Sequence, residues 1–476
     1  MAQLVPSSTV DRAGQAVADA LAETLDDLAR PMRLAVTGQL SRGKSTLVNA
    51  LTRLPVAPTG IDEVTADYHE FRFDGVSVPA APPPGGRRGR LPALVVSSVA
   101  AELPAPLRLI DTPGLGSPLT DTKGNAGLRT DAALHLFENN VHQDDQEYLR
   151  GLLGGDGRAM LPARVLAVIS SCDLSWPPAP DRAVNGDPLT FDPLRDHAEP
   201  IIRQIGRNPR SHELFFAVLP VAALVAEGGW ALTGDQIDVL AELAKRHDEP
   251  TLAGQLASKA RFVGADIVAD AATRRALLER LGLWGIHVAC QYLRAAAATE
   301  AGLREHLDER SGVARLRATV VGHFVGRRGA IKLELHLRQI ERRLAEARDA
   351  AQLHGTAMPA PLAEVAARVE SLRAGNLGLS ELALVQLIHR HQHRVSAAEQ
   401  AELAALTGGD GVGCAPRLGL PADVGVARML ERAVELNRRW NQRTTTVPAL
   451  APSVVRAYER LIARVGEARA LLDNLD

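Results

Sequence analysis

The chain has 476 residues, only three cysteines and a formal net charge of −2. That length supplies roughly two to four domains, and the near-neutral balance excludes bulk nucleic-acid affinity or global attraction to anionic lipid. Cys172, Cys290 and Cys414 are widely spaced, with no CxxC pair, which points to a reducing cytoplasm rather than a disulfide framework. No window approaches the about 18 uninterrupted apolar residues of a membrane span, and residues 1–32 are amphipathic and carry acidic groups, unlike a signal peptide.

The first predicted element is a helix over residues 8–30. Val10, Ala13, Val17, Leu21, Leu25 and Leu28 recur near helical period, and Pro31 ends it. A regular apolar stripe of this kind needs a groove. The apolar run Leu34-Ala-Val36 then meets Gly38-Gln-Leu-Ser-Arg-Gly43-Lys44-Ser45, the P-loop pattern with a strand before it and a helix after it. Gly38 and Gly43 let the backbone turn its N–H groups around phosphate, and the helix N-terminus faces the same anion. Lys44 is positioned to reach the β- and γ-phosphates, and the Ser45 hydroxyl to ligate Mg²⁺. Ser41, Arg42 and Thr46 complete the candidate phosphate-binding set, with Ser41 and Lys44 also candidate catalytic groups.

Pro55, Pro58 and Gly60 break regular structure before a strand at 66–73. This polar loop suits a nucleotide switch, and Thr65, with Thr59 as competitor, is the candidate hydroxyl that completes Mg²⁺ coordination and supports catalysis. Residues 79–92, rich in Pro, Gly and Arg, read as a solvated hairpin tip. Leu107-Arg-Leu-Ile-Asp111-Thr-Pro-Gly114 delivers an aspartate to a strand's C-terminal end, where open α/β sheets bind ligands. Asp111 is the candidate Mg²⁺ group, and the Gly114 N–H faces the γ-phosphate.

Buried strands are predicted at 131–137 and 164–170, with a helix between them at 143–153. The second of these strands ends in Ser170-Ser-Cys-Asp173, where Asp173 is placed to accept from the guanine N1–H and 2-amino groups and Ser170 to support it. Ser171 stands where a lysine stem usually lies against the base, so guanine preference with weakened base affinity is expected. A strand at 214–221 brings Pro220-Val-Ala222 to the same side as a base-contacting loop. Beyond about residue 235 the strand signals stop. Helices are expected at 237–245, 252–281, 313–351, 361–374, 379–406, 423–440 and 453–476. His389, His391 and His393 are read as helix surface, because no carboxylate stripe joins them as metal ligands. The fold class is therefore an α/β P-loop GTPase domain with a mixed, mostly parallel sheet, joined to an all-α half.

The motifs resemble those of the dynamin-like GTPases of actinobacteria, of the isoniazid-inducible type. Ser45-Thr-Leu-Val-Asn-Ala-Leu51 and Ala57-Pro-Thr-Gly-Ile-Asp-Glu-Val-Thr65 are similar to that family's P-loop and first switch, and Leu109–Ser117 to its second. Ser170-Ser-Cys-Asp173 resembles its base element. The likeness continues through 219–226, Leu281-Gly-Leu-Trp-Gly285, Arg310-Ser-Gly312, and Arg417-Leu-Gly-Leu-Pro421 with Trp440. It implies an N-terminal neck helix (1–31), a GTPase head (32–245) and a helical neck and trunk (246–476) with a candidate tip at 350–365. It also implies GTP/GDP and Mg²⁺ as ligands, self-association through the heads, and peripheral work at cytoplasmic membranes with lipid or a second dynamin-like protein as partner; no nucleic acid is expected. Two residues depart from the wider dynamin pattern. Leu40 stands where those enzymes carry a water-positioning Gln, so slow turnover is expected, and the tip at 353–362 is only mildly apolar. A hydrolysis-poor scaffold and a regulatory switch unrelated to membranes are the competing readings. The resemblance places residues 8–30 against the C-terminal helix, whose Val454, Ala457, Leu461, Val465, Ala468 and Leu472 repeat at helical spacing, with Pro31 as a hinge.

Overall fold

The computed structural model describes residues 6–58, 68–73, 94–98, 103–114, 130–154, 161–178, 188–208, 214–353, 355–391, 394–408 and 413–473. Seven strands form one sheet: β1 (Met32–Gly38), β2 (Tyr68–Arg72), β3 (Leu94–Ser98), β4 (Leu107–Asp111), β5 (Ala132–Phe137), β6 (Val165–Ile169) and β7 (Ala217–Pro220). Their order is β3-β2-β4-β1-β5-β6-β7. Among the described strands only the β2–β4 pairing is antiparallel; β2 and β3 run parallel, so they are not the two arms of the hairpin expected around 79–92. The central strands are continuous apolar runs because helices cover both faces of a parallel sheet; β5 and β6 are buried at every residue. Val36 lies in register with Asp111 on one side and Leu134 on the other. The P-loop therefore leaves the sheet centre beside the end of β4.

The helices of the first half are α1 (Pro6–Ala29), α2 (Lys44–Thr52), α3 (Gln143–Gly154), α4 (Ala198–Arg207), α5 (Ala223–Ala231) and α6 (Gly234–Arg246). The single helix expected at 252–281 is three pieces: α7 (Glu249–Gln255), α8 (Lys259–Gly264) and α9 (Ala271–Leu293). Asp248, Ser258 and Asp270 each accept an N-cap bond from the main chain two or three residues into the new helix, and these caps restart it where apolar spacing alone predicts continuity. Next come α10 (Glu300–Arg310) and α11 (Val313–Thr319), a π-helical turn at Val320–Val325, and α12 (Arg328–Leu353). The π turn interrupts the helix expected at 313–351. Its His323 bonds the Ala163 carbonyl at 2.8 Å and stacks on Phe216. The remainder is α13 (Ala360–Gly375), α14 (Leu377–His391), α15 (Ala397–Leu406), α16 (Cys414–Arg417), α17 (Val426–Gln442) and α18 (Ala451–Asp473). A capping box of Ser396 and Glu399 starts α15 and so breaks the helix expected at 379–406.

The packing runs across the boundary expected at residue 245. Val313, Leu316, Phe324 and Ile331 enter the same core as Leu34, Val36 and Leu109 of the sheet. Arg317 donates to the Ala50 and Leu51 carbonyls at the open end of α2, and the buried Asp308 holds Arg317 at 2.8 Å and Arg53 at 2.9 Å. A second core joins α5, α6, α9 and α10 around Trp284.

The pairing expected for the N-terminal helix is corrected. Val17 and Ala20 of α1 bury against Leu337, Ile340 and Leu344 of α12, in a cluster shared with α13 and α14. The C-terminal α18 instead buries Val454 and Leu461 with Leu436 and Trp440 of α17. Leu21 is 37% exposed and Leu25 is 76% exposed. The buried face of α1 is Val17, Ala20, Thr24 and Asp27, a stripe rotated from the leucines by polar partners. Lys332 of α12 is the reason. Its Nζ donates to the carbonyls of Asp27 (3.0 Å) and Pro31 (3.2 Å) and lies 3.2 Å from an Asp131 carboxylate oxygen. His336 adds a 2.9 Å contact to Asp27. The Pro31 junction is thus clamped to α12 and to β5.

Candidate functional site

The P-loop conformation follows from its glycines. A Cβ on Gly38 would lie 2.5 Å from the Leu136 carbonyl oxygen, and Gly43 takes a left-handed φ of 80° as the N-cap of α2. Ser41 is also left-handed, with φ 60°. Lys44 folds back, its Nζ donating to the Gln39 carbonyl at 3.1 Å. Burial lowers its pKa, against the attraction of Asp111. The Ser45 hydroxyl donates to Asp111 Oδ2 at 2.8 Å. Asp111 is fully buried, and burial pushes its carboxyl up to about 6, opposed by the Ser45 bond, Lys44 and the Thr112 main chain. Its Oδ1 has no hydrogen-bond partner among the described residues. An acidic oxygen left so, beside a serine hydroxyl and at a strand end, suits a hard divalent cation.

Gly114 packs directly on the P-loop: a Cβ there would be 2.7 Å from Leu40 Cα. Leu40 itself is 41% exposed. Thr46 is half-buried in the first turn of α2. The Arg42 guanidinium turns away from Lys44, pairing with Glu138 and reaching Gln39. It lines a polar cavity of about 180 Å³ with Gln39, Asn140, His142 and Asp145. Thr65 and Thr59 lie outside the described residues.

The base-reading candidates converge at the ends of β6 and β7. Ser170 points its hydroxyl at the Phe137 carbonyl, 3.4 Å away, and Ser171 is left-handed. Asp173 is 6% exposed, and burial raises its carboxyl to about 6 despite its own main-chain N–H and Lys259. The Cys172 N–H bonds the Val221 carbonyl, tying Ser170–Asp173 to the Pro220–Ala222 loop.

Two groups beneath the site escape the sequence reading. Asn49 brackets Ala57, accepting from its N–H at 2.7 Å and donating to its carbonyl at 2.9 Å, and also donates to Glu227. An amide inside the otherwise apolar face of α2 was the available signal. His135 is buried between Thr37 (3.1 Å) and Asp145 (3.7 Å), and burial brings it down to about 4, so it is neutral. A histidine in an apolar strand was the signal there.

Residues 33–161 match the model of a family described as 50S ribosome-binding GTPase. The head is a P-loop GTPase domain. The match runs from β1 to residue 161, just before β6, so the GTPase signature covers the phosphate site and stops short of Ser170–Asp173. The chain as a whole is similar to the isoniazid-induced protein IniC of two strains of Mycobacterium tuberculosis, 28% identical over an alignment of 475 residues, gaps included, that covers 93% of this chain and 90% of the relative. That is the type its motifs resemble, and the similarity extends past the GTPase head through the helices. Among solved structures, a chain from an oligomerised bacterial dynamin pair, described as sensing and tethering membranes at long range, aligns with a TM-score of 0.33 at 11% identity. The alignment covers 100% of this chain and 76% of that one, a likeness too slight to carry an argument.

Proposed function

We propose that this GTPase is a dynamin-like protein that binds and hydrolyses GTP and remodels, tethers or constricts membranes through nucleotide-dependent dimerisation of its heads. The observation that carries the reading is the meeting of Lys44, Ser45 and Asp111 at the centre of the sheet, in a chain similar along nearly its whole length to an isoniazid-induced protein. Lys44 exchanges the Gln39 carbonyl for β- and γ-phosphate oxygens. Gly38 through Thr46 supply main-chain N–H groups, and Gly114 supplies one to the γ-phosphate. Ser45, Asp111 and Thr65 would hold Mg²⁺, which would supply charge neutralisation for the β- and γ-phosphates. Asp173, with Ser170 and Pro220, accepts from guanine. Leu40 can neither donate nor accept, so Ser41 and main-chain groups must orient the attacking water, and turnover is slow.

The division into neck helix 1–31, head 32–245 and helical half 246–476 belongs to this proposal. No described helix is long and apolar enough to cross a membrane, which fits peripheral attachment from the cytoplasm. The candidate tip at 350–365 presents Leu353, 84% exposed. Leu40 also favours a second reading, a hydrolysis-poor scaffold that partners another dynamin-like protein.

One experiment separates the readings: GTP turnover measured with and without liposomes, with pelleting in the same samples and Lys44→Ala as control. Membrane remodelling predicts turnover that rises with protein concentration and lipid, and pelleting that depends on GTP. Binding without turnover favours the scaffold. Unchanged GTP affinity in Lys44→Ala would overturn the phosphate site itself.

A further inference from the structure

Two glycine motifs of the helical half, Leu281-Gly-Leu-Trp-Gly285 and Arg310-Ser-Gly312, have no part in the phosphate chemistry. Both close on the segments that read the base. Helix α9 is broken at Gly282, whose φ of 65° and ψ of 179° lie in a region that only glycine adopts without strain. The break lies beside Asp173: a Cβ on Gly282 would be in ordinary van der Waals contact with Asp173 Oδ2 at 3.6 Å and with the Leu224 side chain at 3.9 Å. It is held there from behind. A Cβ on Gly228 of α5 would meet the Arg280 carbonyl oxygen at 1.9 Å, and one on Gly285 would meet Val225 at 3.1 Å. Helices α5 and α9 therefore cross with their backbones nearly in contact, which fixes the break in place.

The second motif braces the other segment. Gly312 is left-handed, with φ 78°, and a Cβ there would lie 2.6 Å from the Pro220 carbonyl oxygen. The Ser311 carbonyl accepts from the Ala222 N–H at 2.9 Å. The loop Pro220–Ala222 is thus seated on the α10–α11 corner, and through the Cys172–Val221 bond so is the loop of Asp173.

We infer that Gly282 and Gly312 are positioning residues for guanine recognition, one setting the Asp173 carboxylate and the other the Pro220–Ala222 loop. The inference rests on the GTPase reading in which Asp173 meets the base. Its physical content is that main chain from the helical half lies against the Asp173 carboxylate and the Pro220–Ala222 loop. Base identity is then read by a shell that spans the head and the helices packed on it.

The test compares GDP with IDP, whose inosine base lacks the 2-amino group, in wild type, Gly282→Ala and Gly312→Ala, with thermal melting alongside. Both ligands use the same phosphate site, so their affinity ratio isolates the Asp173 contact. Wild type is expected to favour GDP by about tenfold or more, the worth of one charge-assisted hydrogen bond. In either variant the ratio falls toward one while IDP affinity holds within about threefold; a merely structural role would instead lower both affinities together. If neither variant binds IDP, hydrogen exchange on wild type decides: GDP must protect the amides of 281–285 and 311–313 more than saturating IDP does, and equal protection overturns the inference. A wild type blind to the difference between GDP and IDP would sink the base reading itself. A discriminating wild type with unchanged ratios in both variants would sink only the role of the glycines.

Discussion

At the scale of single residues, two carboxyls dominate the site. Burial raises both Asp111 and Asp173 to about 6 from the ordinary carboxyl value of 3.8. Each folded carboxyl therefore keeps a proton that the unfolded chain has already released between those values. Their contribution to stability falls as pH rises through that window, by about 2–3 kcal/mol per group at full ionisation. In the absence of nucleotide, Asp111→Asn should consequently melt at a higher temperature than wild type at pH 7, and the difference should vanish near pH 4. A variant that melts lower at pH 7 would show that the carboxylate is already compensated in the free protein. Asp173 gives a second pH test. Only the ionised form accepts from both guanine N–H groups, so GDP preference over IDP should grow between pH 5 and 7 and be flat in Asp173→Asn. Taking a ratio removes the shared Asp111 and phosphate titrations.

Among the elements, the joint between α1 and β1 carries the largest correction. The leucine stripe of α1 suggests a hydrophobic seam, but the seam is set by Lys332, Asp27, Asp131 and His336. A buried ammonium held by two carboxylates and two carbonyls cannot be removed singly without stranding its partners. Lys332→Met should cost about 3–5 kcal/mol, read by denaturant unfolding, whereas Leu25→Ala at a 76% exposed position should stay within about 0.5 kcal/mol. Equal effects would mean that α1 is held by its apolar surface after all. Deleting residues 1–30 should uncover Leu337, Ile340 and Leu344 of α12, raising binding of a hydrophobic dye, while the α17–α18 pair remains protected in hydrogen exchange. Exposure of α18 instead would restore the neck pairing that the spacing suggested.

For the whole molecule, the clamp at Pro31 changes how nucleotide chemistry can become motion. With Pro31 and Asp27 both bonded to Lys332, and Lys332 paired with Asp131, α1 and α12 are fastened to the sheet at the Pro31 junction. The π turn at Val320–Val325 is likewise packed into the head core, with Val320, Phe324 and Val325 buried there. A crosslink between α1 and α12 should accordingly leave GTP turnover and its response to liposomes unchanged, measured in the same assay before and after reduction of the crosslink. Loss of the lipid response on crosslinking would revive a hinge at Pro31.

The P-loop turn, the Asp111 strand end and the apolar runs of β1, β5 and β6 were legible because each is local: a glycine at a turn, an acid at a strand end, a run of buried residues. Helix boundaries in the second half were less so, since Asp248, Ser258, Asp270 and Ser396 end or restart helices through single hydrogen bonds that apolar spacing does not register. Amino-acid sequence by itself determined that this chain is a nucleotide-binding α/β head followed by helices. Only the tertiary structure decided that α1 belongs to α12, that residues 313–331 complete the core of the head, and that Gly282 and Gly312 lie beside the Ser170–Asp173 and Pro220–Ala222 loops. Those outcomes rest on buried charge pairs and on backbone approaches that only glycine permits, between residues as much as about 300 positions apart.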